Sequence, residues 1–298
     1  MPRILCLHGH GTSDTIFKSQ TAAFRSKLPP SYTFDFLCAP FPSAPAPGIK
    51  AIYPDSPTYT WYRTQTTSAL RDAHRWVLQH VRKHGPYDAV MGFSQGCALI
   101  ATMALFRGFD GRGDSPRTAN ENENETETEE SKQTEKEKED PFPFRSAIFI
   151  CGGVPLYALT AMGLPISDRA TEINATTGAL LSGTAGKLAD FAANTKLIKR
   201  GVGLWDGNEA GLVHDVGARP ARDDVFGLDF TAFPEWACIG VPTVHVYGGK
   251  DPKWPAGIQL AEFCPDRVEF DHGGGHDIPR LSGVSERMAE LVRGVAER

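Results

Sequence analysis

No run of about 18 apolar residues occurs in this chain of 298 residues, so a membrane-spanning helix is not expected. An excess of positive charge is missing too. The formal net charge is −5 and phosphate recognition needs a basic face, so nucleic acid is not expected as a partner. Cysteine is sparse and unpatterned. Cys6, Cys38, Cys97, Cys151, Cys238 and Cys264 stand far apart, with no Cys-x-x-Cys and no zinc-type spacing. Several lie inside apolar runs. Buried free thiols in a reducing compartment account for them, which points to a cytoplasmic location. The opening Met1-Pro2-Arg3 leads straight into a short apolar run, so a signal peptide is not expected.

Apolar side chains are themselves absent from one stretch. Between Glu121 and Asp140 there is no aromatic or aliphatic residue, and ten acids stand against three lysines, a net of −7. Such a segment cannot bury enough surface to offset the entropy of ordering it. Residues 108–140 are therefore read as a disordered acidic insertion. Without that stretch the chain carries +2, so the acidity belongs to the insertion. At 41% apolar overall, residues 1–298 suffice for a single large domain with a substantial core.

What is present is an alternation. Strand-like runs cover 3–7, 32–38, 89–93, 146–151, 242–247 and 267–270, and helical patterns cover 15–28, 68–84, 95–106, 257–264 and 284–295. This predicts an α/β fold: a mostly parallel sheet with helices on both faces, and any site outside the carboxyl ends of the strands.

Gly92-Phe93-Ser94-Gln95-Gly96 sits between a strand-like and a helical run. A serine hydroxyl is a poor nucleophile until it is held exposed beside a base. A sharp strand-to-helix turn does this, and glycines at 92 and 96 remove side chains that would clash inside it. The same turn aims the backbone N–H of Gln95 at a developing oxyanion. A serine merely capping a helix would give the same five letters.

Asp251 follows the run 242–247, and His276 follows 267–270 and a glycine run. An acid past one parallel strand and a histidine past the next meet at one sheet edge. The chain order Ser94, Asp251, His276 is then that of an α/β-hydrolase triad. Rivals exist. Asp277 adjoins His276 but has to fold back on it, His272 precedes the glycines, and Asp271 reads as a solvated strand-end charge. At the N-terminus, His8-Gly9-His10-Gly11 follows the first strand. A His-Gly turn there supplies a second oxyanion N–H, with His10 the donor and Gly11 the next candidate. Two histidines at i and i+2 with no Cys or carboxylate set beside them do not make a metal site, and no metal is expected.

Leu7-His8-Gly9-His10-Gly11-Thr12-Ser13 with Ile16-Phe17, Gly92 to Gly96, and His272-Gly273-Gly274-Gly275-His276-Asp277-Ile278-Pro279 together resemble the fungal serine hydrolase family related to the ovarian-cancer-gene-2 protein. The resemblance spans most of 1–106 and 144–298. The family includes stand-alone thioesterases and esterases of polyketide gene clusters, and the likeness extends to hydrolases of citrinin-type clusters. It implies Ser94 as nucleophile, Asp251 as orienting acid and His276 as base. It also implies an acyl thioester substrate, a polyketide chain presented by the acyl carrier domain of a synthase. A carboxylesterase on a small free ester and a non-catalytic ligand-binding protein on the same fold are the alternatives. Acyl transfer by this triad needs neither metal nor organic cofactor.

Two further segments bear on substrate. Residues 155–236 are apolar enough to fold, and Leu180, Leu181, Leu188, Phe191, Leu197 and Ile198 are expected to line a helix pair that caps the site. A peripheral elaboration of the sheet edge is the other reading. The Pro- and aromatic-rich loop 39–62 offers Phe41, Trp61 and Tyr62 as walls for an acyl chain, or simply as packing on a helix.

Overall fold

The computed structural model describes residues 1–112, 142–193, 205, 211–215 and 217–298, with 184–193 described as backbone only. The chain opens with β1 (Arg3–Leu7), α1 (Asp14–Gln20), α2 (Ala22–Arg25) and β2 (Thr33–Leu37). A two-residue antiparallel pair, β3 (Phe41–Pro42) and β4 (Tyr59–Thr60), brackets the short α3 (Ile49–Ile52). Then come α4 (Thr67–His84), β5 (Ala89–Phe93), α5 (Gln95–Asp110) and β6 (Ser146–Ile150). They are followed by α6 (Leu156–Ala161), α7 (Asp168–Ala193), β7 (Thr243–Tyr247), α8 (Trp254–Glu262), β8 (Arg267–Asp271) and α9 (Ser282–Ala296).

Six strands form one sheet in the order β2-β1-β5-β6-β7-β8, every neighbour parallel. A parallel sheet needs cover on both faces, and every residue of β5, β6 and β7 is buried. The period of two sorts the side chains. Ile4 and Cys6 point to a cluster with Phe17, Phe24, Met288 and Val292 from α1, α2 and α9. Leu5 and Leu7 point the other way, to Leu70, Val77, Leu99 and Ile258 from α4, α5 and α8. The strand order reverses between β1 and β5, which opens a crevice at their carboxyl ends. The fold is that of an α/β-hydrolase.

Several boundaries differ from the sequence reading. The helix expected over 15–28 breaks at Thr21, whose hydroxyl donates back to the Phe17 carbonyl. Helix α5 runs on to Asp110, which takes a bidentate pair from Arg71, so residues 108–110 belong to the helix. Residues 113–140 of the acidic insertion lie outside the described residues. Of the segment 155–236, the described helices are the short α6 and one long α7, the latter an alanine-rich run without proline. Leu180, Leu181, Leu188 and Phe191 all lie on α7, while Leu197 and Ile198 fall outside the described residues. Among the described residues no helix is long and apolar enough to cross a membrane. All six cysteines are free, four of them buried, with Cys38 and Cys238 half-buried.

Candidate active site

Ser94 stands between β5 and α5 with φ 52° and ψ −110°, a conformation that costs a non-glycine residue energy. The surrounding chain enforces it. Ser94 N–H donates to the Ile150 carbonyl at 3.0 Å. A Cβ on Gly92 would come within 2.7 Å of the Cys97 nitrogen, and one on Gly96 within 2.2 Å of the Leu7 carbonyl oxygen. Both positions need glycine, and the serine hydroxyl is thrown out over the sheet edge.

The hydroxyl meets the histidine loop there. His276 Nε2 lies 3.0 Å from Ser94 Oγ, and its Nδ1–H donates to Asp251 Oδ2 at 2.7 Å. That bond fixes the tautomer and leaves Nε2 as the acceptor for the serine proton. The other carboxylate oxygen of Asp251 accepts from the Lys253 N–H at 2.7 Å, and the carboxylate is almost fully buried. Burial disfavours the imidazolium of His276, but the Asp251 charge and hydrogen bond outweigh it and raise the pKa above the usual 6.5.

The turn after β1 packs directly against this serine. A Cβ on Gly9 would fall 3.4 Å from Ser94 Cβ. Gly11, with φ 65°, donates its N–H to the Tyr59 carbonyl at 3.0 Å, so it is already committed and leaves His10 as the turn's oxyanion candidate. The His10 side chain is exposed. The His8 ring is buried, accepts the Ala39 N–H on Nε2 and donates from Nδ1 to the Gly9 carbonyl. Burial lowers its pKa to about 4, so it is a neutral strut. Gln95 opens α5, and its N–H belongs to the unpaired set that a helix start presents.

The family profile "Serine hydrolase (FSH1)" matches residues 1–288. The chain belongs to this family. Esterase FPY3 of Fusarium mangiferae is 26% identical over 297 residues, which cover 98% of this chain and 94% of that one. Dihydromonacolin L-[lovastatin nonaketide synthase] thioesterase of Aspergillus terreus is 33% identical over 127 residues, 37% of this chain and 48% of that one. Among solved structures, SOBER1 of Arabidopsis thaliana aligns over 100% of this chain and 99% of that one, with a TM-score of 0.42 and 14% identity.

Within this serine hydrolase the rivals for the triad have other duties. Asp271 is an exposed charge at the end of β8. Its Oδ1 accepts the N–H groups of Gly249 at 2.8 Å and Gly273 at 2.7 Å, which ties the acid loop to the base loop. His272 accepts the Gly274 N–H on Nδ1, and burial lowers its pKa. Asp277 places Oδ1 beside Gly274 and His272 with no hydrogen-bond partner, and burial raises its pKa.

Of the three aromatic residues expected to touch substrate, Trp61 does something else. It is fully buried, its indole N–H donates to the His8 carbonyl at 2.7 Å, and its ring lies on the His8 imidazole. It pins the turn and cannot line an open pocket. Gln95 completes the lock, accepting on Oε1 from the Trp61 N–H and the Thr60 hydroxyl. Tyr62 is half-buried against Tyr157 and Gln95, with its phenol pKa raised by burial. Phe41 is half-buried under the Arg63 guanidinium.

Sequence reasoning missed what the segment 155–236 touches. Lys253 Nζ donates to the carbonyl and side-chain oxygens of Asn174 on α7, each at 3.0 Å. His214 stacks on Trp254 and bonds the Gly249 carbonyl. The Trp205 indole covers Gly275 so closely that a Cβ there would be 1.9 Å from the ring. Trp205 lies in a stretch without periodicity, so only Gly275 hinted that something approaches the backbone there.

Proposed function

We propose that Ser94, His276 and Asp251 hydrolyse an acyl thioester, releasing a polyketide chain from the acyl carrier domain of a synthase. The observation that carries the hydrolytic part is the unbroken relay from Ser94 Oγ through His276 to Asp251, at an elbow whose glycines admit no replacement. Ser94 Oγ attacks the carbonyl as His276 Nε2 takes its proton. The N–H groups of Gln95 and His10 hold the oxyanion, and Asp251 stabilises the imidazolium. The intermediate collapses, the carrier thiolate leaves with the proton from His276, and an acyl-serine remains. Water activated by His276 then attacks it and regenerates Ser94. Segment 155–236 acts as the cap: Trp205 over the histidine loop and α7 held at Lys253 exclude water from the acyl group. Phe41 and Tyr62 line the acyl path. A cytoplasmic setting is part of this reading, supported by six free thiols that suit a reducing compartment.

The thioester reading is supported by the lovastatin synthase thioesterase among the relatives. The full-length match to a protein named an esterase favours a second reading, hydrolysis of a small free ester. A binding protein without turnover fits poorly with a complete relay. Matched thioester and oxoester forms of a citrinin-type aromatic polyketide chain decide between them, with Ser94→Ala as the blank. Ser94-dependent turnover at least about tenfold faster on the thioester is expected, a difference of about 1.4 kcal/mol in the barrier. A preference for the oxoester moves the assignment to carboxylesterase. No Ser94-dependent turnover of either leaves only the binding reading.

A further inference from the structure

Cys151 stands just past the end of β6 with φ 49°, a left-handed conformation that a non-glycine residue seldom takes. Its N–H is tied to the Val246 carbonyl at 2.8 Å. Its thiol is turned toward the histidine loop, with Sγ 3.6 Å from the carbonyl oxygen of Asp277 and 3.8 Å from that of Gly275. The hydrolytic mechanism gives this sulfur no task. Yet Cys151 Sγ, a carboxylate oxygen of Asp251 and a ring nitrogen of His276 all lie within 4.8 Å of one another. No other group of three such donors meets this way among the described residues.

We propose that Cys151, Asp251 and His276 form an inhibitory binding site for a thiophilic divalent cation of the zinc class. One sulfur, one nitrogen and one oxygen donor make a three-ligand set with the fourth position left to water. Bonds of about 2.0–2.3 Å to a tetrahedral ion put donors about 3.3–3.6 Å apart. Asp251 Oδ2 and His276 Nδ1 now stand 2.7 Å apart, and no pair of donors in the set exceeds 4.8 Å. Shifts of about 1 Å therefore close the site. The three side chains follow β6, β7 and β8, adjacent strands whose spacing holds them together. The sulfur selects zinc-like ions over magnesium and calcium, which prefer oxygen cages.

A second feature points the same way. His272 accepts the Gly274 N–H on Nδ1 at 3.1 Å, so its proton sits on Nε2, which faces Cys151 Sγ at 3.9 Å. That is an outer-sphere donor for a metal-bound thiolate. On binding, the Cys151 thiol proton and the His276 Nδ1 proton pass to solvent, and bonds form from the metal to Sγ, Nδ1 and a carboxylate oxygen. No electron is transferred. The ion replaces the hydrogen bond between base and acid, and Ser94 loses its activation.

The test uses the full chain stripped with a chelator. Cadmium titration is expected to give a saturable ultraviolet thiolate-to-cadmium band with one ion per chain, absent in Cys151→Ser. Zinc is expected to inhibit ester hydrolysis reversibly, and magnesium to have no effect. In Cys151→Ser the zinc inhibition constant, read against that variant's own chelated rate, weakens by more than about tenfold. If Cys151→Ser does not fold, Ser94→Ala and His276→Gln replace it. Ser94→Ala is expected to keep the full band and His276→Gln to lose its saturable part. No band in the wild type, or an equal band in Cys151→Ser or His276→Gln, overturns the site. The band does not depend on turnover, so it survives failure of the thioester reading.

Discussion

The charge on His276 governs activity and stability in opposite directions. Its native pKa is raised above the unfolded value of about 6.5 because Asp251 favours the imidazolium. Only the neutral ring accepts the Ser94 proton, so the rate rises with pH through the native value. The stabilisation runs the other way. It is complete below about pH 6.5 and is lost as pH climbs through the native pKa. A kcat/KM profile in chelating buffer is expected to inflect above 6.5, while the melting temperature carries a contribution that falls over the same window. Asp251→Asn is expected to lower kcat by about 10³–10⁴-fold and to move the inflection down. A wild-type inflection at or below 6.5 would contradict this. Ser94, Asp251 and His276 were legible as letters because each follows a strand and has a glycine within two residues of it. Trp61 was not. An aromatic residue in a proline-rich loop reads the same whether it faces a ligand or, as here, the His8 carbonyl. Asp271 was legible as an exposed strand-end charge, but its backbone partners, 22 residues away at Gly249 and two away at Gly273, were not.

Elements were more legible than their contacts. The strands of the main sheet were readable because they are short apolar runs buried on two sides, and they fell within a residue or so of their expected ends. Helix ends were less so, because Thr21 and Pro255 act through local bonds and geometry. The cap was legible only as apolar content. Its helix, its lysine latch and its tryptophan depend on contacts with residues more than 60 positions away in the chain. The junction of β1 and α5 gives the sharpest test at this scale. Gly96→Ala drives a methyl into the Leu7 carbonyl, 2.2 Å from where its Cβ would sit. A loss of about 2–4 kcal/mol in urea unfolding is expected, with hydrolysis lost from the fraction that still folds. A variant of wild-type stability would mean that α5 can shift away from β1 at little cost.

At the scale of the molecule, the described residues that flank the acidic insertion lie apart from the triad. Helix α5 starts beside Ser94 and is about 24 Å long, so its far end lies well away from the sheet edge that gathers the triad. Arg112 and Phe142, on either side of the acidic insertion, line the same groove near that far end. A short Gly-Ser linker in place of residues 113–140 is expected to leave kcat/KM within about twofold, because closing a shorter loop costs little. The net charge would move from −5 to +2, and the isoelectric point up from about 6.0. Isoelectric focusing and ester hydrolysis on the two proteins check both halves. A fall in hydrolysis would place the acidic stretch in the reaction after all.

That groove also has a practical meaning. Arg112 and Phe142 both line it, so the segment that joins them is a natural point of attachment. A dye, an affinity tag or a tether to a solid support placed between Arg112 and Phe142 would leave the edge that carries Ser94 facing away from the support, open even to a bulky substrate.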